Sequence, residues 1–158
     1  MNLVLVNGVL EFNKEPFSGR LISNYSNGKL RLELFYVDGK KHGTERYWDD
    51  EGVLSQERFY TKGIKTGIHR AWWNAETPKF IYHFNANGEF HGEVKEWYRS
   101  GELYMFFNYK KGKESGSQRL WKTDGSIKAN YDVVNGERFG LIGLKKCYQV
   151  TVGNDTVN

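Results

Sequence analysis

The side chains of this chain that could do chemistry are four histidines, one cysteine and a short acidic run. His42, His69, His83, His91 and Cys147 could ligate zinc or act as base and nucleophile, and Asp49-Asp50-Glu51 could hold a cation. Spacing argues against each reading. His42 and His91 occupy one slot two repeats apart, roughly 20 Å at strand spacing, which excludes a shared metal ion and leaves them a role in the turn. His69 and His83 share a repeat and could face each other across a hairpin, but no Cys or paired carboxylate joins them at ligand spacing. The acidic run lacks the spacing of an EF-hand loop, and Cys147 has no nearby base. Gly28-Lys29, Gly39-Lys40 and Gly112-Lys113 fall in hairpin turns with no helix behind them, so they do not cradle phosphate. No nucleophile elbow or dinucleotide fingerprint appears. The expectation is a protein that is not an enzyme and needs no metal or cofactor.

The elements that would carry these residues repeat every 24 residues. Glycines recur at 19, 43, 67, 92, 116 and 140, at 39, 63, 88, 112 and 136, and at 28, 52, 101 and 125. Trp48, Trp72, Trp97 and Trp121 keep the same beat. Such a period marks a stacked array of one small unit, and arrays serve mainly as binding surfaces.

Composition narrows the setting. The net charge of +4 is mild and admits an acidic partner without demanding nucleic acid. A single cysteine excludes an intrachain disulfide framework and suits a reducing compartment. Leu3–Val6 is too short for a secretory segment and has no basic stretch before it. A cytoplasmic location is therefore expected.

Each repeat reads as a hairpin. Thr44–Trp48 is a strand, Asp49–Gly52 a turn, Val53–Tyr60 a second strand and Thr61–Gly63 a second turn. No stretch of ten residues shows helical periodicity. In the second strand Leu30, Leu32, Leu34 and Tyr36 share one face, opposite Arg31 and Glu33. Leu103, Met105, Phe107 and Tyr109 repeat that column, as do Ile127, Ala129, Tyr131 and Val133. Phe80, Tyr82 and Phe84 stay in phase only if the one-residue insertion of that repeat lies in the turn Asn85–Gly88, because a slip within a strand reverses every later side chain. That repeat also has Glu76, with Thr77-Pro78 after it, in place of the middle glycine, so its tip should differ.

On the first strand Arg46, Arg70, Lys95 and Arg119 each stand two residues before Trp48, Trp72, Trp97 and Trp121. Residues two apart share a face, so a basic column should run beside a tryptophan column. Two readings are open. In the first, Trp stacks on Trp with each cation over a neighbouring ring, as a structural ladder. Alternatively the eight residues are a contact stripe for an acidic protein surface or anionic lipid headgroups.

The ends depart from the pattern as caps should. Residues 1–15 read as an opening hairpin with an Asn7-Gly8 turn, 16–140 as the repeats, and 141–158 as capping strands and tail. Within that last segment a strand over Leu141–Cys147 is expected, then an edge strand over Tyr148–Val152 and a frayed end from Gly153.

The phase of glycines and aromatics resembles MORN repeats of the bacterial variant. The carrying stretches are Tyr25-Ser26-Asn27-Gly28-Lys29-Leu30, Lys40-Lys41-His42-Gly43, Phe90-His91-Gly92, Gly116 to Trp121 and the opening Pro16-Phe17-Ser18-Gly19. The chain departs from the pattern at Ala75–Pro78, and at Thr66 and Ser115, which stand where His precedes Gly. The resemblance spans about Pro16 to Gly140 and implies an all-β fold, an elongated antiparallel sheet of tandem hairpins with capping strands. It also implies a binding role. Some bacterial members are labelled antitoxin components, and eukaryotic relatives are described as scaffolds or membrane-associated modules. A protein partner sequestered on the array is the leading expectation. Anionic lipid and self-association through terminal strands are the alternatives.

Overall fold

A computed structural model describes residues 2–143. Every regular element in it is a β-strand: β1 (Leu3–Val6), β2 (Val9–Phe12), β3 (Glu15–Pro16), β4 (Gly19–Asn24), β5 (Leu30–Val37), β6 (Lys40–Trp48), β7 (Leu54–Thr61), β8 (Ile64–Lys65), β9 (Gly67–Trp72), β10 (Pro78–Phe84), β11 (Phe90–Trp97), β12 (Leu103–Lys110), β13 (Lys113–Glu114), β14 (Gly116–Trp121), β15 (Ile127–Val134) and β16 (Glu137–Leu141). The first three form a small sheet. The other thirteen form one antiparallel sheet in which β4, β5, β6, β7, β9, β10, β11, β12, β14, β15 and β16 lie side by side in chain order, with β8 on β7 and β13 on β12. The expected all-β sheet of consecutive hairpins is what the chain forms. The C-terminal strand differs from expectation. It runs Glu137–Leu141 and ends at the residue where a strand was expected to begin. The remainder of that expectation, including Cys147, Tyr148–Val152 and the end from Gly153, lies outside the described residues.

Two kinds of turn alternate. Asp38-Gly39 has φ of 49° and 71°, the double positive φ of a type I′ turn, and Lys62-Gly63, Lys111-Gly112 and Asn135-Gly136 repeat it. At the opposite ends of the strands are four-residue turns, in which Gly28, Gly52, Gly101 and Gly125 donate to the carbonyls of Tyr25, Asp49, Tyr98 and Lys122. The repeat with the insertion replaces its type I′ turn with a second four-residue turn, Asn85–Gly88, closed by Gly88 N–H to Asn85 O at 3.1 Å. The extra residue is thus absorbed in the turn, as register requires. The Ala75–Pro78 tip also differs: Asn74 Oδ1 takes the N–H groups of Glu76 and Thr77 at 3.0 and 2.8 Å.

The first glycine series does something else. Leu34 pairs with Glu45 and Tyr36 with Lys41, so two steps on β5 face four on β6. The surplus is a bulge at His42-Gly43, with Gly43 at φ 89° inside the strand. Equivalent offsets occur around Thr66-Gly67, His91-Gly92 and Ser115-Gly116. This is why the strand containing Trp48 starts at Lys40 and not Thr44. At three positions of this glycine series the residue before the glycine reaches the next turn. Ser18 Oγ accepts from Asp38 N–H at 2.8 Å, and His42 and His91 Nδ1 accept from Lys62 and Lys111 N–H at 3.4 Å. These two histidines therefore brace turns, as the sequence suggested.

One face of the sheet carries the buried side chains Leu34, Tyr60, Ala71, Val94, Ala129, Tyr131 and Val133. This inner face joins the alternating column of the second strands to Ala71 and Val94 of first strands. Its rings form a chain of contacts, Tyr60–His69 at 5.6 Å, His69–Phe84 at 4.6 Å, Phe84–Phe90 at 4.8 Å and Phe90–Tyr109 at 5.1 Å between centroids. Aromatic contacts at such distances stabilise beyond the area they bury.

Inside this face sit Glu45, His69 and Gln118, at 1, 2 and 0% exposure. The latter two hydrogen-bond the backbone that faces a bulge. His69 Nε2 lies 2.8 Å from Phe59 O, and Gln118 Nε2 donates to Asn108 O at 2.8 Å while Gln118 Oε1 accepts from Asn108 N–H at 3.1 Å. Burial lowers the His69 pKa, and the charges of Arg58 and Lys65 act the same way. Glu45, a carboxylate, takes Lys41 Nζ at 2.8 Å and Tyr47 Oη at 2.7 Å on Oε1. Burial opposes its ionisation, but those hydrogen bonds and the Lys41 charge outweigh it and hold the pKa below the ordinary carboxylate value. Burial and the adjacent Glu45 push Tyr47 up to about 12.

Candidate binding surface

The basic residues singled out in the sequence lie on the outer face, opposite the buried column. Cross-strand pairing links Ile22, Glu33, Arg46, Glu57, Arg70, Ile81, Lys95, Phe106, Arg119 and Asn130 into one row across the sheet. The row has two characters. Around Arg46 it alternates in sign. Arg20 Nε meets Glu33 Oε1 at 2.6 Å, and Arg46 meets Glu33 Oε2 at 3.7 Å and Glu57 Oε2 at 2.8 Å. From Arg70 onward the slots between cations hold Ile81 and Phe106. Arg70 and Arg119 are exposed, and neither has a carboxylate within 4.0 Å among the described residues. Lys95 Nζ bonds Glu93 Oε2 at 2.6 Å and lies 5.0 Å from the Phe106 ring centroid. The basic column expected as one set of equivalents is therefore neutralised across the row at Arg46, paired along its own strand with Glu93 at Lys95, and open at Arg70 and Arg119 among the described residues.

Trp48, Trp72, Trp97 and Trp121 stand at the ends of β6, β9, β11 and β14, half-buried. The ladder reading fails for a simple reason. These residues recur on every second strand, about 10 Å apart, beyond the 4.5–7 Å of ring contacts. Among the described residues no tryptophan ring pairs with another aromatic, and the one cation of this column over a ring, Lys95, lies over Phe106. Aromatic stacking belongs to the inner face instead. What ties repeats together at the tryptophans is their backbone. Tyr25 Oη, Trp73 Nε1 and Tyr98 Oη donate to the carbonyls of Trp48, Trp97 and Trp121 at 2.8, 3.0 and 2.9 Å.

The remaining candidates do not converge. His69 is opposite Tyr82 and His83 opposite Ile68, so the two histidines point to opposite faces and cannot meet across the hairpin. His83 Nδ1 lies 2.6 Å from Glu93 O. Asp49 closes its own turn, with Oδ1 accepting from the N–H groups of Glu51 and Val53 at 3.1 and 2.8 Å. Among the described residues no three His, Cys, Asp or Glu side chains gather at metal-binding distance. None of these residues forms a helix long and apolar enough to cross a membrane.

The sequence carried part of the signal: Glu33 and Glu57 recur at the repeat period, and the same slot then becomes Ile81 and Phe106. That slot marks where the acids end, but Arg70 also lies opposite Glu57, and only the structure shows that Glu57 is held by Arg46.

No curated protein matches the chain. Comparison with protein families matches the MORN repeat variant at residues 18–38, 41–62 and 90–111. The matched stretches coincide with hairpins of the sheet. Between the second and third lies the hairpin with the Ala75–Pro78 tip and the enlarged Asn85–Gly88 turn. Repeats of this family are in general protein- or membrane-binding modules. The long hairpin sheet with its periodic type I′ turns is consistent with repeats of this kind, and three stretches of the chain are similar to the MORN repeat variant.

Proposed function

We propose that this chain is a non-enzymatic protein-binding module that sequesters a partner by covering a complementary acidic surface with its outer face. The observation that carries the reading is the half of the outer row that has no acid in its slots: Arg70, Lys95 and Arg119, two strands apart, Arg70 and Arg119 open and Lys95 held only by Glu93 of its own strand, with apolar residues between them and Trp72, Trp97 and Trp121 beside them. Arg and Trp are the residue types that most often dominate interfaces, and a preformed sheet presents area at little ordering cost. An antitoxin or immunity role would fit such sequestration, and it rests on family resemblance alone.

The test is affinity capture of the tagged protein from lysate of its source cell, membranes retained, beside an Arg70→Glu/Lys95→Glu variant. One stoichiometric protein lost in the variant supports the reading. Co-sedimentation with anionic vesicles, screened by salt and abolished by the same variant, would replace it with lipid binding.

A further inference from the structure

Resting on that reading, we propose that the half of the outer row from Arg70 to Arg119 receives an amphipathic α-helix of the partner, lying across the strands from β9 to β14, whose contact stripe alternates acidic and apolar residues. The row reads cation, apolar, cation, apolar, cation: Arg70, Ile81, Lys95, Phe106, Arg119. Neighbouring strands are about 4.8 Å apart, so the contacts come every 4.8 Å and span about 19 Å.

Few backbone conformations match that interval. An extended strand presents same-side residues about every 6.7 Å and loses phase within two contacts. A polyproline segment repeats every three residues, about 9.3 Å, and so matches the cations while leaving Ile81 and Phe106 without partners. The heptad stripe of an α-helix presents two contacts per seven residues, one about every 5.2 Å. Five successive contacts then span about 21 Å. The excess of about 2 Å is shared between the two ends of the row, where Arg70 and Arg119 have long, exposed side chains. Acidic residues at one heptad position would meet the cations, and apolar residues at the other would cover Ile81 and Phe106.

Charge supports the same assignment. Arg46 has its carboxylates in the chain itself, Glu33 and Glu57. Beyond Arg70 the slots that held those acids become Ile81 and Phe106, so carboxylates for Arg70 and Arg119 must come from outside if these two are to be paired, while Lys95, held by Glu93, is met by exchange of that pair. A nucleic-acid strand, with a charge about every 3.4 Å and no apolar interval, matches the alternation poorly.

The probe is a labelled three-heptad peptide with Glu at each a position and Leu at each d position. It is compared by fluorescence anisotropy with a peptide of equal composition whose Glu residues are moved to the opposite helix face, at about 0.15 M salt to damp non-specific attraction. The striped peptide should bind at least about tenfold more tightly. Arg70→Ser and Arg119→Ser should each weaken it about fivefold, while Lys62→Ser and Lys111→Ser, which remove the same charge from the turns, should change it less than about twofold. Circular dichroism of each variant checks that the sheet is retained. Equal binding of the two peptides, equal losses in the turn variants, tighter binding to anionic vesicles, or no binding below about 1 mM would each overturn the proposal. If the peptide fails while capture from lysate still depends on Arg70 and Lys95, the helical geometry falls and the surface stands. If both fail, the surface falls with it.

Discussion

Gln118→Leu offers the sharpest check on how the bulges are stabilised. The side chain is fully buried, and its amide both donates to Asn108 O at 2.8 Å and accepts from Asn108 N–H at 3.1 Å. Leucine fills nearly the same volume, so cavity terms are small. Asn108 O keeps a second donor, Ser115 N–H at 2.9 Å, and so loses little. The Asn108 N–H faces the bulge, where the ladder supplies no acceptor, and a buried donor left in this way costs about 1–3 kcal/mol. For a chain of this size that corresponds to a fall in Tm of about 3–10 °C. Thermal and urea unfolding followed by circular dichroism would measure it. Gln118→His should leave most of the loss in place, because the equivalent His69 contacts the carbonyl of its bulge partner and not an N–H. A Gln118→Leu protein within about 0.5 kcal/mol of the parent would refute the claim that these buried polar residues exist to satisfy the bulge.

Other outcomes follow from the same geometry. His69 must stay neutral to remain buried, and its lowered pKa means that the unfolded chain takes up the proton first. Its contribution is complete above the ordinary imidazole value near 6.5 and declines as pH falls below it, by up to about 1.4 kcal/mol per pH unit, until the folded protein is itself protonated. His69→Gln should flatten urea midpoints between about pH 7 and 5, and an unchanged slope would assign that sensitivity elsewhere. Tyr25→Phe removes the hydroxyl on Trp48 O and should cost about 0.5–1.5 kcal/mol in urea unfolding. Gly43→Ala should cost about 1–2 kcal/mol, because φ is 89° while a Cβ would meet only Phe35 Cβ at 3.7 Å. Gly39→Ala should cost clearly more, since its Cβ would also press on Val9 and come within 2.8 Å of Leu10 O. Leu3–Val6 forms the exposed apolar outer strand of the small sheet, so light scattering at rising concentration should show self-association that Leu5→Lys suppresses.

The sequence by itself determined the strands, the hairpin order and the inner column. Period-two alternation at Leu30, Leu32 and Leu34 and glycines at a fixed interval are local constraints, visible without knowing what lies alongside. It also located the insertion, because only a turn can absorb an odd residue without reversing the strand that follows. Tertiary structure alone decided whether Gly43 and its equivalents sit in turns or in bulges, since positive φ is common to both and only the pairing register separates them. It decided that the tryptophans cannot stack, because their separation is set by strand spacing and not by sequence distance. It likewise divided the basic column. Arg46 and Arg70 occupy equivalent positions in the chain, but Arg46 holds Glu33 on one neighbouring strand and Glu57 on the other, whereas no carboxylate of the described residues lies within ion-pair distance of Arg70. Whether a cation is neutralised depends on its neighbours across the sheet, and those are fixed only when the strands pair.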